Sequence, residues 1–250
     1  MSRLKRKEKK EKDDKVKLHA FIATPAYDGR VLTDFAISIA ETAQVATLYG
    51  INITATIMGN GAFIDLARNR FVRMFLESKA THLFFIDADL KWEPRAFVSL
   101  MMAGRPVCAG VYPKRQDPEE FPVRLWPHKD GGLWVEDNGW VMCDRVPTGF
   151  LCIERKVVEE MAAKAKIIKG QKGEPDVPRL FYTYINENDA FVGEDFAWCE
   201  DYIKQYDRPI PVWPDFDFTH GVRWPGNWHT FLSKRIEEEE KQSAQMSVAA

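Results

Sequence analysis

The hydrophobic pattern of the first half of the chain predicts strands that alternate with helices. Apolar residues recur at helical spacing over 32–46 and 64–75, and Pro94 suits the first turn of a third helix. Four short apolar runs, mostly bounded by Pro, Gly or Asp, are typical of strands: 18–24, 51–58, 82–86 and 106–111. This alternation predicts an α/β fold whose parallel sheet carries helices on both faces.

The pattern changes in the second half. Several short strand candidates over 121–153 are broken by Pro, Gly and Asp, and a further strand is expected at 212–213. Helices are predicted at 156–165 and 194–206, and an exposed loop at 170–178. No repeat or Gly/Ser linker interrupts the chain, so one domain is expected over 18–232, made of halves 18–115 and 116–232.

Both ends are strongly charged. Residues 1–17 hold nine basic and four acidic side chains, a net +5, which leaves −7 for the rest of a chain that totals −2. This basic segment predicts a disordered, solvated tail, and we expect no nucleic-acid partner, although the run 3–7 also suits an anionic surface. Residues 233–250, with four consecutive glutamates at 237–240, predict a second charged tail that frays.

Composition places the chain among ordinary globular proteins. It has 250 residues, 45% apolar and 29% charged, with no long apolar run or signal peptide. Four cysteines are widely spaced and form no C-x-x-C pair, so we expect reduced, mostly buried thiols and a cytoplasmic protein: Cys108, Cys143, Cys152 and Cys199.

An acidic pair follows the most apolar predicted strand. Asp87 and Asp89 come directly after the run 82–86. Ligands of open parallel sheets bind beyond the carboxyl ends of the strands, and alternate residues of an extended segment point the same way. Two carboxylates so placed suit Mg²⁺ or Mn²⁺ shared with a diphosphate. Two acids at the end of a strand are also common in proteins where they have no function, so the motif alone does not establish a metal site.

Several motifs in a fixed order resemble those of the GT-A-fold glycosyltransferases, and most of all their stand-alone phage, viral and bacterial members. The resemblance spans nearly all of 18–232. It rests on these segments: 23–29 (ATPAYDG), 65–69 (DLARN), 84–89 (FFIDAD), 108–114 (CAGVYPK), 148–151 (TGFL), 193–196 (GEDF) and 220–221 (HG).

The resemblance implies a metal-dependent enzyme that transfers a sugar. The donor would be a nucleotide-diphosphate sugar, UDP- or GDP-linked, and the acceptor a glycan or glycoprotein. The half 18–115 would bind the donor and the half 116–232 the acceptor, with Mn²⁺ or Mg²⁺ as the cofactor. By this resemblance the protein would lie in the cytoplasm of a bacterial or virus-infected cell, with peripheral membrane attachment left open.

The same resemblance implies a donor-binding set. Thr24, Pro25 and Tyr27 would line the nucleotide pocket, where a Tyr ring can stack on a base. Arg68 would reach the nucleotide or its diphosphate, although a solvated Arg fits the helix pattern equally well.

Asp87, Asp65 and the adjacent pair Lys114 and Arg115 complete this set. Asp87 would contact the ribose or a metal-bound water. Asp65 is a donor-site candidate and also a candidate i,i+3 partner of Arg68. Lys114 and its neighbour Arg115 would lie over the diphosphate, or form a solvated basic turn.

Metal ligands and catalytic acids are also implied by the resemblance. Asp89 would bind the metal directly, with Asp87 and His220 as further ligands. Asp215 and Asp217 are rival ligands near His220. Imidazole suits Mn²⁺ better than Mg²⁺.

The motif at 193–196 would supply the chemistry at the acceptor. Asp195 would act as the general base in an inverting enzyme, with Glu194 positioning the acceptor. Acids are also favoured at a helix N-terminus by the helix dipole, so both residues are equally consistent with a purely structural role. Trp224 and Trp228 suit either an acceptor sugar or the core, and packing is the commoner use of such residues.

Other classes also place acids after an apolar strand. A haloacid-dehalogenase-type phosphatase usually has Thr after the second Asp, where this chain has Leu90. A nucleotidyltransferase usually carries a Gly-rich phosphate loop, which residues 28–30 match poorly. A non-catalytic carbohydrate-binding or assembly protein on the same fold also stays open.

Overall fold

The computed structural model describes residues 17–59, 63–127, 132–170 and 173–248. In those residues the helices are α1 (Thr33–Leu48), α2 (Ile64–Glu77), α3 (Pro94–Met102), α4 (Arg155–Lys164), α5 (Glu194–Tyr206) and α6 (Trp228–Val248). The strands are β1 (His19–Ala26), β2 (Asn52–Gly59), β3 (His82–Ile86), β4 (Leu90–Trp92), β5 (Val107–Ala109), β6 (Arg124–Leu125), β7 (Val141–Arg145), β8 (Phe150–Glu154), β9 (Ile167–Ile168), β10 (Val177–Pro178), β11 (Tyr184–Ile185), β12 (Phe191–Val192), β13 (Ile210–Val212), β14 (Asp217–His220) and β15 (Trp224–Asn227).

Eight strands form the central sheet, in the order β2-β1-β3-β8-β5-β13-β7-β6. All run in one direction except β8 and β7, which are antiparallel to their neighbours. The predicted α/β class with a mainly parallel sheet is confirmed. β8, from the second half of the chain, lies antiparallel between β3 and β5.

The central sheet has a hydrophobic core on each face, and alternating side chains of β3 pack into these two cores. All five residues of the strand are buried. Leu83 and Phe85 face one core with α2, α4 and α5, whereas Phe84 and Ile86 face a second core with α1 and α3. Burial on both faces explains why this strand is a continuous apolar run rather than an alternating one.

A second, three-stranded sheet in the order β15-β14-β4 lies against the second core. Phe218 of β14 and Trp92 of β4 are buried there. In the antiparallel pairing of β14 with β4, His220 lies opposite Leu90, the residue after Asp89. The small sheet therefore brings a segment from near the end of the chain beside the acidic pair.

Two predicted irregular segments contain regular structure. The expected fraying tail at 233–250 is helical as far as Val248, because α6 continues from its buried start at Trp228 and carries i,i+4 pairs such as Arg235–Glu239. In the predicted loop 170–178, Val177–Pro178 pairs with Ile167–Ile168 and is buried.

Three further expectations concern the cysteines, the basic tail and membrane-spanning segments. The four cysteines are buried free thiols, as expected. Of the basic tail 1–17, residues 1–16 lie outside the described residues. No helix in the described part of the chain is long and apolar enough to span a membrane.

Candidate active site

The predicted acidic pair lies at the wall of a cleft of about 620 Å³. β1 and β3 are parallel neighbours, so the segments after their carboxyl ends meet at one edge of the sheet. We call the space between them the β1–β3 cleft. It is lined by Pro25, Ala26, Tyr27, Asp28, Arg30, Val31, Leu32, Ile64, Asp87, Ala88, Asp89 and Arg115.

Arg68 pairs with both Asp87 and Glu194. Its Nη2 lies 3.1 Å from Asp87 Oδ1 and its Nε 3.3 Å from Glu194 Oε1. Arg68 is only 2% exposed. Burial lowers the pKa of its guanidinium, but the charges of Asp87 and Glu194 outweigh burial and raise it. Arg68 is therefore neither solvated nor open to the cleft; it is a buried cation that holds two acids together.

Close packing fixes the other side of Asp87. The hydroxyl of Tyr112 donates to Asp87 Oδ2 at 3.1 Å, and the Asp87 amide donates to the Gly149 carbonyl at 3.0 Å. A Cβ at Gly149 would overlap both the Tyr112 hydroxyl and the Asp87 carboxylate. Only glycine permits this approach, which gives a physical reason for the Gly in the motif 148–151.

Asp89 and His220 lie together on the cleft side. Asp89 Oδ2 is 3.6 Å from His220 Nε2, and the Gly221 amide donates to the Asp89 carbonyl at 2.8 Å. The other ring nitrogen of His220 contacts the Pro113 carbonyl at 2.8 Å. Burial lowers the pKa of His220, so its imidazole is neutral near pH 7 and keeps a lone pair on Nε2. Arg115 also pairs with Asp89 and donates from Nε to His220 Nε2 at 3.0 Å.

Asp195 lies in the first turn of α5, next to Glu194. Burial and then the charge of Glu194 raise its pKa to about 6. A carboxyl with a pKa so close to neutrality can accept a proton from a hydroxyl and release it again. Arg68, linked to Glu194, places this acid beside the network that holds Asp87.

The donor atoms fit a divalent ion only in part. In the described ranges no three His, Cys, Asp or Glu side chains converge on a common point. Both oxygens of Asp87 face Arg68 and Tyr112, so the predicted set of Asp87, Asp89 and His220 is not gathered. Asp89 and His220 remain as a carboxylate–imidazole pair, with Nδ1 held by a carbonyl as in metal-binding histidines. Such a pair suits an ion whose other ligands are phosphate oxygens and water.

Of the other predicted donor-site residues, some line the β1–β3 cleft and some do not. Pro25 and Tyr27 line the cleft, and Tyr27 is 77% exposed. Thr24 is 1% exposed and does not line the cleft, because it lies within β1, where it pairs with Ile57 of β2. Lys114 points away and pairs with Glu120 at 2.8 Å, which leaves Arg115 as the cleft cation of that turn.

The remaining candidates lie off the cleft. Asp65 accepts from the Leu66 amide and does not pair with Arg68. Asp215 and Asp217 both accept from the Asn227 side chain rather than joining His220.

Trp224 and Trp228 do not line the cleft. Trp228 is 1% exposed, so packing is confirmed for it, and Trp224 stacks against Arg223.

Tyr112 and Asn69 were not singled out from the sequence. Buried Asn69 ties α2 to Leu180 and Phe181 through three hydrogen bonds. Their only sequence signal is that they fall within two segments that carry the family resemblance, 108–114 and 65–69.

Comparisons with known proteins are distant. No family model and no curated protein matches the chain. One similar solved structure is GalNAc-T7 with UDP, GalNAc and Mn²⁺, 10% identical over 84% of this chain and 45% of that chain, with a TM-score of 0.47. Another is the inositol-1-phosphate CTP transferase from T. maritima, 11% identical over 82% of this chain and 89% of that chain, with a TM-score of 0.40. This chain thus spans less than half of the first, and neither likeness bears on what it does.

Proposed function

We propose that the chain is a glycosyltransferase that moves a sugar from a nucleotide-diphosphate donor to an acceptor hydroxyl. One observation carries the proposal. Asp89, which contacts His220, is two residues from Asp87, and the titratable acid Asp195 follows Glu194 in the chain; buried Arg68 bonds both Asp87 and Glu194. Sugar transfer needs both parts, one for the leaving diphosphate and one for the acceptor proton.

The β1–β3 cleft supplies the donor site. Tyr27 is exposed at its wall and offers a ring face to a nucleotide base. Asp89 and Arg115 line the same cleft, so the diphosphate of a UDP- or GDP-linked sugar that stacks on Tyr27 reaches the cation-binding pair. Asp89 and His220 would hold a divalent ion, whose positive charge would stabilise the departing diphosphate.

Asp195 carries the acceptor half of the reaction. Its ionised carboxylate takes the proton of the acceptor hydroxyl, whose oxygen forms a bond to the anomeric carbon. The bond from that carbon to the diphosphate breaks, and the electron pair leaves with the nucleoside diphosphate. Glu194 is held by Arg68 and orients the acceptor beside Asp195. The acceptor class proposed is a glycan or glycoprotein.

The test is nucleotide release from a panel of UDP- and GDP-sugars with Mn²⁺ and candidate acceptor glycans. For the donor that reacts, Asp195→Asn is expected to keep donor binding and to lose transfer by about 10²- to 10⁴-fold. His220→Ala is expected to weaken Mn²⁺-dependent donor binding. Asp217→Asn is the matched control, because Asp217 contacts Asn227 outside the cleft.

Two results would count against the proposal in different ways. Transfer that is unchanged in Asp195→Asn removes the assigned base and leaves the donor site intact. A wild-type protein that neither binds nor cleaves any donor, with Asp89→Ala indistinguishable from it, removes the glycosyltransferase function and favours a non-catalytic carbohydrate-binding protein.

A further inference from the structure

Arg115 lies where a cation shared by Asp89 and His220 would lie. Its guanidinium pairs with the Asp89 carboxylate, and its Nε is 3.0 Å from His220 Nε2. The side chain of Arg115 is 51% exposed and lines the β1–β3 cleft. It is therefore a cation at the pair that is able to swing away from it.

Hydrogen bonding fixes the state of the imidazole. The Pro113 carbonyl has no proton to give, so the contact at His220 Nδ1 requires Nδ1–H as the donor. Arg115 Nε–H can only donate, so its 3.0 Å contact requires Nε2 to carry the lone pair that accepts it. The same lone pair and the same Asp89 carboxylate are the groups that a divalent ion requires. Arg115 and such an ion therefore exclude each other.

The local charge balance explains why a cation is needed there. Arg68 is occupied by Asp87 and Glu194, so it does not neutralise Asp89. Without a metal, Arg115 is the guanidinium that meets Asp89. When a divalent ion replaces it, the diphosphate that arrives with the ion brings new negative charge for Arg115 to bind.

We propose that Arg115 is an internal counter-cation of the Asp89–His220 pair, which a divalent ion displaces and which then binds the donor diphosphate. This inference rests on the metal pair of the proposed function. It predicts opposite effects of one substitution: removal of Arg115 strengthens binding of the metal and weakens binding of the nucleotide. A purely structural role of Arg115 would change both in the same direction.

The first measurement is binding of Mn²⁺ alone, followed by the EPR signal of the free ion. Arg115→Ala and Arg115→Gln are expected to bind Mn²⁺ about twofold to fivefold more tightly than the wild type, because the ion no longer competes with a partly exposed ion pair. The second measurement is UDP and GDP binding at saturating Mn²⁺, where both Arg115 variants are expected to bind the nucleotide that the wild type prefers about tenfold more weakly, because a charged hydrogen bond is lost. Lys114→Ala is the matched control, since Lys114 pairs with Glu120 and not with Asp89.

An Asp89→Ala arm separates this inference from the proposed function. If Asp89→Ala loses Mn²⁺ binding but both Arg115 variants bind Mn²⁺ no more tightly than the wild type, the counter-cation role is overturned and the metal pair stands. If Asp89→Ala and the Arg115 variants all bind Mn²⁺ like the wild type, the metal pair itself is overturned. Nucleotide binding that is unchanged in Arg115→Ala overturns the second half of the inference.

Discussion

Two opposing effects act on the carboxyl group of Asp195. The first turn of α5 favours negative charge through the helix dipole, whereas burial and the neighbouring Glu194 oppose it. Burial prevails, since the pKa rises from 3.8 to about 6. Ionised Asp195 therefore costs the folded state free energy, and this cost is present at the pH where the acid would act as a base.

The raised pKa of Asp195 predicts a pH-dependent change in stability that can be measured without a substrate. The proton on Asp195 stabilises the fold fully below about pH 3.8, and this contribution is lost as the pH rises through about 6. Asp195→Asn removes the ionisation while its side-chain oxygen still accepts from the Phe196 amide. We expect the variant to be more stable than the wild type at pH 8, by on the order of 2 kcal/mol, and nearly equal to it at pH 4.

Urea unfolding at several pH values measures the difference. Asp207→Asn, at an exposed position in the left-handed region that Asn tolerates, is the control and is expected to show no such pH-dependent gain. An Asp195→Asn variant whose stability relative to the wild type is the same at pH 4 and pH 8 would contradict the raised pKa.

Single residues of the site differ in how far sequence predicts them. The placement of Asp87 and Asp89 at the cleft follows from one local signal, an apolar strand that ends in acids. The role of Arg68 does not follow from a local signal, because its partner Glu194 is 126 residues away in the chain. The helix pattern only places Arg68 beside the apolar stripe, and burial of an Arg there depends on an acid supplied by another helix.

Among the elements, β4 and β14 decide where His220 lies. They have three and four residues, too few for a period-2 pattern to be recognised. Their antiparallel register sets His220 opposite Leu90, and the Gly221 amide closes the contact with Asp89. The family resemblance pointed to His220, but the small sheet that brings it to Asp89 was not predicted.

Helix α6 has a buried start and an exposed remainder. Trp228 is 1% exposed, and Phe231 and Leu232 pack against the first core. Every side chain described beyond residue 233 is exposed. The charge of that stretch suggested a tail, and its helical state was not predicted because i,i+4 pairs add only a few tenths of a kcal/mol each.

This contrast predicts unequal effects of two changes in one element. Trp228→Ala should destabilise the protein by about 3–5 kcal/mol, because it leaves a cavity under the helix. Removal of residues 235–250 should cost less than about 1 kcal/mol, since no buried side chain is described there. Chemical denaturation of the two variants beside the wild type measures both. A truncation as destabilising as Trp228→Ala would contradict the view that only the start of α6 contributes to the core.

At the scale of the whole molecule, the central sheet holds together parts of the site that are far apart in sequence. The strand–helix alternation predicted the sheet and the edge where Tyr27 and Asp89 meet. The insertion of β8 between β3 and β5 was not predicted, because antiparallel insertion depends on long-range pairing. That insertion is what brings Gly149, just before β8, against Asp87.

Because its parts meet only in the folded chain, the site should link ligand binding to global stability. Asp89 and His220 are 131 positions apart, so an unfolded chain does not present them as a pair. A ligand that binds only the folded state at 100 times its Kd adds about 2.7 kcal/mol, or roughly 5–10 °C in Tm for a chain of this size. We expect this shift from Mn²⁺ with the preferred nucleoside diphosphate, measured by scanning calorimetry, and its loss when EDTA removes the ion. Asp217→Asn should keep the shift, and an equal shift in Asp89→Ala would show that the ligands bind elsewhere.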